Sequence, residues 1–130
     1  MRRRDKAMIL YVDYNDVCRA PLAAAMHARV YGEHAYSAGV YADEGAAVCD
    51  AVRPKLLDGH RSRRLSESML EKADAVWCVT AAIARHLAEE HPNHADKIHA
   101  MEDIPDPSGM GKQAYAQCAE DIRRQLEERR

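Results

Sequence analysis

The stretch Ile9-Leu10-Tyr11-Val12-Asp13-Tyr14-Asn15-Asp16-Val17-Cys18-Arg19-Ala20-Pro21 decides how this chain is read. Ile9 to Val12 complete a continuous apolar run that starts at Ala7 and is bounded by charge. That is the pattern of a strand buried on both faces, as parallel sheets require. A short polar loop follows. From Pro21 to Val30 the chain reads as a helix, with Pro21 in its first turn, where a missing N–H costs nothing, and Gly32 as its stop. The residues from Asp13 to Arg19 therefore lie at the carboxyl end of a strand, directly before a helix N-terminus.

Outward from this stretch, strands and helices alternate. Ala35 to Gly39 reads as a short second strand, Asp74 to Thr80 as a third rich in β-formers, and Lys97 to Met101 as a fourth. Helices are expected over Ala47 to Leu57 despite Pro54, and over Leu65 to Lys72 with Ser66 as a cap. Two more are expected over Ile83 to Glu90 and Gln113 to Glu128, the last with Ala114, Cys118, Ile122 and Leu126 at helical spacing. The alternation implies an α/β fold with a four-stranded parallel sheet flanked by helices, joined by right-handed crossovers. Ligands in such sheets bind beyond the carboxyl ends of the strands.

The 130 residues suit one compact domain spanning 1–130, and the 47% apolar content is enough for a core. A formal net charge of -2 gives no global basic field for nucleic acid. The apolar run behind Arg2, Arg3 and Arg4 is too short for a secretory leader or a membrane span, so a cytoplasmic location with no membrane partner is expected. Cys18, Cys49, Cys78 and Cys118 show no C-x-x-C pairing and read as reduced thiols, with Cys78 buried on a strand. His86, His91 and His94 form no helical metal pair with an obvious third ligand. No metal site and no cofactor are expected. The charge runs Glu89-Glu90 and Arg123-Arg124 read as solvated helix faces.

The Val12 to Pro21 segment resembles the phosphate-binding loop of the low-molecular-weight protein tyrosine phosphatases, V-C-x-G-N-x-C-R-S-P, matching at Val12, Cys18, Arg19 and Pro21. Further matches follow in order. Ser37-Ala38-Gly39 resembles the family's S-A-G, Gly59 to Arg63 its G-H-R-[SA]-R, Glu71 to Thr80 its E-x-A-D-x-[IV]-x-x-M-T strand, and Ile104-Pro105-Asp106-Pro107 its [IV]-x-D-P loop. Each is weak alone; together, in this order, they are specific.

The resemblance implies a division of labour. A low-pKa thiolate attacks phosphorus, loop N–H groups and a helix dipole hold the phosphate oxygens, an Arg grips two of them, and a carboxylic acid protonates the leaving group. Arg19 matches the gripping Arg and Asp106 the acid, although Asp106 before Pro107 also suits a plain turn. The expected phosphate loop is Asp13, Tyr14, Asn15, Asp16, Val17, Cys18, Arg19 and Ala20, with Asp13, Arg19 and Asp106 at the catalytic positions.

The departures concentrate in that loop. Asp13 stands where the family has its nucleophilic Cys, Asn15 replaces a Gly, Asp16 replaces the Asn that braces the loop, and Ala20 replaces the Ser whose hydroxyl supports the thiolate. If the Asn15 position needs a positive φ, Asn tolerates it better than most residues. At the substrate pocket, Ser108 stands where an aromatic is usual, and Tyr41 is either an aromatic wall or a surface loop residue. Cys18 keeps the motif's second Cys, but without a first Cys it reads as a packed thiol.

A carboxylate fixed about 4 Å from a bound phosphate costs on the order of 4 kcal/mol per unit charge at an effective dielectric of about 20. One Arg and about half a charge from a helix terminus cannot offset two such carboxylates. Phosphotyrosine binding is therefore expected to be lost or very weak, with Asp13 or Asp16 paired to Arg19 as an internal ligand. The first reading is a pseudophosphatase, a binding or regulatory module that acts on a phosphoprotein or other protein partner, as a monomer or a homodimer. An active phosphomonoester hydrolase using Asp13 is the alternative, with or without magnesium held by Asp13, Asp16 and Asp106; the loop faintly resembles the D-x-D motif of haloacid-dehalogenase-type phosphatases. An arsenate-reductase-like role lacks its attacking thiolate. The sequence leaves open whether Asp13 is natural or engineered.

Overall fold

The computed structural model describes residues 7–46 and 59–129. The helix expected over Ala47 to Leu57 and the Cys49 thiol lie outside these residues. Four parallel strands form one sheet in the order β2-β1-β3-β4. They are β1 (Ile9–Asp13), β2 (Tyr36–Gly39), β3 (Ala75–Cys78) and β4 (Ile98–Ala100). Helices α1 (Arg19–Tyr31), α2 (Glu67–Lys72), α3 (Ala81–Glu90) and α4 (Gly111–Arg129) connect and flank them, and a 3-10 helix, Pro92–Lys97, leads into β4. This is the expected four-stranded parallel sheet flanked by helices.

β1 is central because Leu10, Tyr11 and Val12 are all closed to solvent, which both faces of a parallel strand require. It pairs with β2 on one side (Val12 beside Ala38) and β3 on the other (Val12 beside Cys78). The chain thus leaves β1 toward one sheet edge and β3 toward the other. With right-handed crossovers, α1 and α3 fall on opposite faces, and a crevice opens at the carboxyl end of β1.

Small residues let α1 lie close to the sheet: Ala20, Ala23 and Ala24 are buried beside Leu22. Gly32 ends the helix in the left-handed conformation, its N–H donating to the Ala28 carbonyl. α4 packs against α1 through Cys118, Ile122 and Leu126, with Ala114 half-buried one turn before them. The Tyr31 hydroxyl donates to the Leu126 carbonyl, and the Tyr11 hydroxyl meets His27 Nδ1 at 2.8 Å and the Arg129 guanidinium. Arg129 also lies over the Trp77 ring at 4.0 Å, a cation–π contact that holds the end of α4 on the sheet.

Element ends differ from the sequence expectation by no more than two residues, with local causes. Ser66 caps α2, its hydroxyl accepting from Met69 N, so Leu65 stays outside the helix. Thr80 is extended but caps α3 by accepting from Ile83 N, which ends β3 early and starts α3 at Ala81. The first N–H of α3, at Ala81, is taken by Asp103 Oδ1.

Gly39 sets the distance between β2 and the loop after β1. A Cβ there would lie 2.6 Å from the Tyr14 carbonyl oxygen, 2.7 Å from Asp16 N and 2.8 Å from Asn15 C. All three are backbone atoms and cannot rotate away. Gly39→Ala should cost about 2 kcal/mol by overpacking, read as a lower urea midpoint. An unchanged midpoint would show that the loop does not seat on Gly39.

Candidate active site

The loop from Asp13 to Ala20 sits where strand order places a ligand crevice. Asp13, the last residue of β1, is 3% exposed. Its Oδ1 accepts from Asp16 N at 2.6 Å and its Oδ2 from Ala20 N at 2.8 Å. The loop thus curls around this carboxylate with N–H groups inward, aided by the amino end of α1. Burial pushes the Asp13 carboxyl up to about 6; the bonds from Ala20 and Asp16 pull the other way, the Asp16 charge raises it further, and Arg19 lowers it.

The expected pairing of Arg19 with Asp13 or Asp16 is not what forms. Arg19 is buried, and its Nη1 donates to the Ile104 carbonyl at 2.8 Å while Nη2 lies 4.0 Å from Asp106 Oδ2. Backbone N–H groups satisfy Asp13, so the guanidinium is left to tie α1 to the segment that carries Asp106. The carboxylate inside the loop is as expected; its partners differ.

Asp16 is also buried, and it faces away from the crevice. Its Oδ2 accepts from Arg63 N at 2.8 Å, and its carbonyl oxygen accepts from His60 Nε2 at 2.8 Å. A carbonyl can only accept, so Nε2 carries the proton in either charge state of the ring. The same nitrogen is 3.5 Å from Asp16 Oδ1, which has no hydrogen-bond partner among the described residues. Burial works against the charged imidazole, but the bonds and charge of Asp16 outweigh it and His60 is raised. Asp16 therefore braces the loop against the Gly59 to Arg64 segment through Arg63 N and His60. The left-handed residue of the loop is Asp16, φ 56°, so the positive φ considered for Asn15 is not required there. Asp tolerates that conformation through local hydrogen bonding.

Tyr14 and Tyr41 stack at the rim with ring centroids 5.8 Å apart, 38% and 59% exposed, and His86 lies 6.4 Å from Tyr41. Tyr41 is thus an exposed surface residue that stacks on a second aromatic. Backbone bonds from Tyr41 N to the Tyr14 carbonyl and from Val40 N to the Asp13 carbonyl hold the two segments together. Ser108 is exposed and its N–H donates to Asp106 Oδ1, so Asp106 makes the turn expected of an Asp before Pro while its other oxygen faces Arg19. Val17 is half-buried in the loop, and Cys18, at 3% exposed, is a buried thiol outside any disulfide. Asp13, Asp16 and Asp106 do not converge: each has its own separate partners, and no group of three metal-ligating side chains comes together among the described residues. Burial pushes the Cys78 and Cys118 thiols up to about 12, so neither is a ready thiolate.

Sequence reasoning assigned no role to Tyr14 as an aromatic or to His60. The His60 signal was present in the Gly59-His60-Arg61 match, but its partner could only be found in space.

Residues 8–129 match the family model of the low molecular weight phosphotyrosine protein phosphatases. The chain belongs to this family. It is 27% identical over 129 residues to a protein-arginine-phosphatase of Geobacillus stearothermophilus, covering 88% of this chain and 87% of that one. The solved structure of the YwlE arginine phosphatase from Geobacillus stearothermophilus superposes with a TM-score of 0.82 at 26% identity, over 94% of this chain and 89% of the other. The fold is shared further: Vibrio vulnificus Wzb in complex with benzylphosphonate gives a TM-score of 0.85 at 18% identity, over 94% and 95% of the two chains. The chain is thus a family relative of protein-arginine and tyrosine phosphatases. Among the described residues no helix is long and apolar enough to cross a membrane.

The raised Asp13 makes stability depend on pH with a defined sign. Below the ordinary carboxylate range both folded and unfolded chains hold the proton. As pH rises, the unfolded chain loses it first, so this residue's contribution falls until about pH 6, by on the order of 3 kcal/mol. Urea unfolding of wild type and Asp13→Asn from about pH 4 to about pH 7 should show the wild type weakening relative to the variant as pH rises. A gap that moves the opposite way would refute the burial of this carboxyl.

Proposed function

We propose that this chain is a phosphatase-family protein whose nucleophile position holds Asp13 in place of Cys, making it a catalytically impaired scaffold that acts as a binding or regulatory module. One observation carries the reading: the Asp13 carboxylate is enclosed by the loop, with both oxygens on loop N–H groups. Donors that would cradle a phosphate are engaged by the protein's own anion. A carboxylate held this way must give up those bonds to attack, and its charge opposes an incoming dianion. The turning of Arg19 to Ile104 O and Asp106 supports the same reading, because the cation that would grip a phosphate is occupied as well.

The site residues divide accordingly. Asp13, Arg19 and Asp106 occupy the catalytic positions, residues Asp13 to Ala20 form the phosphate loop, and Tyr41, with Tyr14 beside it, forms the rim. The phosphotyrosine protein phosphatase family and the relative named protein-arginine-phosphatase make a phosphorylated protein side chain the natural ligand class, and a phosphoprotein the natural partner. A second reading, hydrolysis with Asp13 as nucleophile, draws support from Asp106, which is half exposed and so open to a leaving group, as a general acid must be.

Hydrolysis of p-nitrophenyl phosphate, with and without magnesium, separates the two. The chain as it stands should be inert in both conditions, and Asp13→Cys should gain on the order of 100-fold or more, the scale of one restored catalytic group. Turnover by the unaltered chain would overturn the silent-scaffold reading. Inertness of both proteins would place the loss in the rest of the loop and pocket as well.

A further inference from the structure

We propose that Asp13 is an acid-released plug: protonating its carboxyl opens the phosphate loop to a tetrahedral oxyanion, so that the loop holds sulfate or a phosphate monoester in acid and rejects it above neutrality. The proposal rests on the reading that Asp13 fills the loop, and it adds a ligand class and a control.

The geometry comes first. The loop already holds an anion, since Asp13 Oδ1 and Oδ2 take the Asp16 and Ala20 N–H groups at 2.6 and 2.8 Å with almost no solvent contact. Hydrogen bonds to a charged acceptor are roughly twice as strong as those to a neutral one. Protonation therefore weakens both bonds, and the new O–H becomes a donor that an oxyanion can accept from.

The charges around Asp13 decide what the loop holds afterwards. On its own loop it faces Asp16, on α1 it faces Arg19, and on α4 it faces the Cys118 thiol, which burial keeps neutral. Asp106 reaches the group only through Arg19, and His60 stands behind Asp16. His60 is raised by Asp16, so in acid the Asp16 charge is balanced. With Asp13 ionised, the cradle sets its carboxylate against Arg19. With Asp13 neutral, the loop N–H groups of Asp16 and Ala20 and the amino end of α1 no longer face an internal charge, and an external anion can take the place of the internal one. The raised Asp13 puts the change near pH 6, inside the range where such a control is useful.

Sulfate is the probe, because its charge is constant over the range and it cannot be hydrolysed here. Its affinity for the whole chain would be measured by calorimetry at constant ionic strength held with chloride. If only the protonated form binds, affinity should fall about 30-fold between about pH 5 and about pH 7.5. Asp13→Asn, neutral at every pH, should bind near pH 7.5 as the wild type does near pH 5, and should lose most of the pH dependence. Asp13→Ala is the second variant, in case the Asn amide disturbs the loop, and thermal melts verify that each variant is folded.

Three results would overturn the proposal: equal wild-type affinity at both pH values, no sulfate binding by any of the three proteins, or an undiminished pH dependence in the Asp13 variants, which would move the control to His60. The readout is binding. Turnover of p-nitrophenyl phosphate by the wild type would sink the silent-scaffold reading and leave this one standing, and a flat sulfate profile would do the reverse.

Discussion

The buried carboxylate of Asp13, held between the N–H groups of Asp16 and Ala20, is the contact on which the site is built. It stands where the most buried strand of the sheet meets the first turn of α1, so its position is fixed from both sides. A buried carboxylate must be hydrogen-bonded or neutral, and this one is partly both: two N–H groups hold its charged form while burial resists it. The curl of the loop, the freeing of Arg19 for other work and the need for a separate brace at Asp16 all follow from that placement.

A strand order that diverges on either side of β1 creates a crevice there whatever residues line it. Gly39, on β2, brings its backbone within contact of Tyr14 and Asp16, so the loop is shaped by its neighbour strand as well as by its own sequence. Family membership and fold therefore say little about turnover in this chain. The same scaffold that holds a phosphate in relatives can hold one of its own side chains, and function has to be argued from the site.

Asp16 shows how a substitution can keep a position and alter its physics. The carboxylate there braces the loop through Arg63 N, and its backbone carbonyl holds His60, whose proton the Asp16 bonds and charge favour. Two titrating groups thus bear on one loop, Asp13 within it and His60 from the neighbouring segment, and both are shifted upward. Their shared sign is a consequence of burying acids: each proton gained removes or balances a charge that the interior disfavours.

Much of this was legible in the chain itself. The apolar run before Asp13, Pro21 in a first turn and the alternation of strand and helix specify a parallel α/β sheet, because side-chain periodicity and backbone preference are local properties. The spaced motifs singled out Asp13, Arg19 and Asp106 as the positions to which the family resemblance gives the chemistry. What only the tertiary structure decided are the partners. Arg19 reaches the carbonyl of Ile104, 85 residues away, and His60 reaches Asp16 across 44 residues. Tyr14 finds Tyr41 only because β1 and β2 run side by side. The positive φ falls on Asp16 because the chain must turn there to present its N–H to Asp13. Local sequence sets which segments form and in what order. Hydrogen-bond partners far apart in the chain are chosen by packing, where each buried donor or acceptor takes what the assembled fold places within reach.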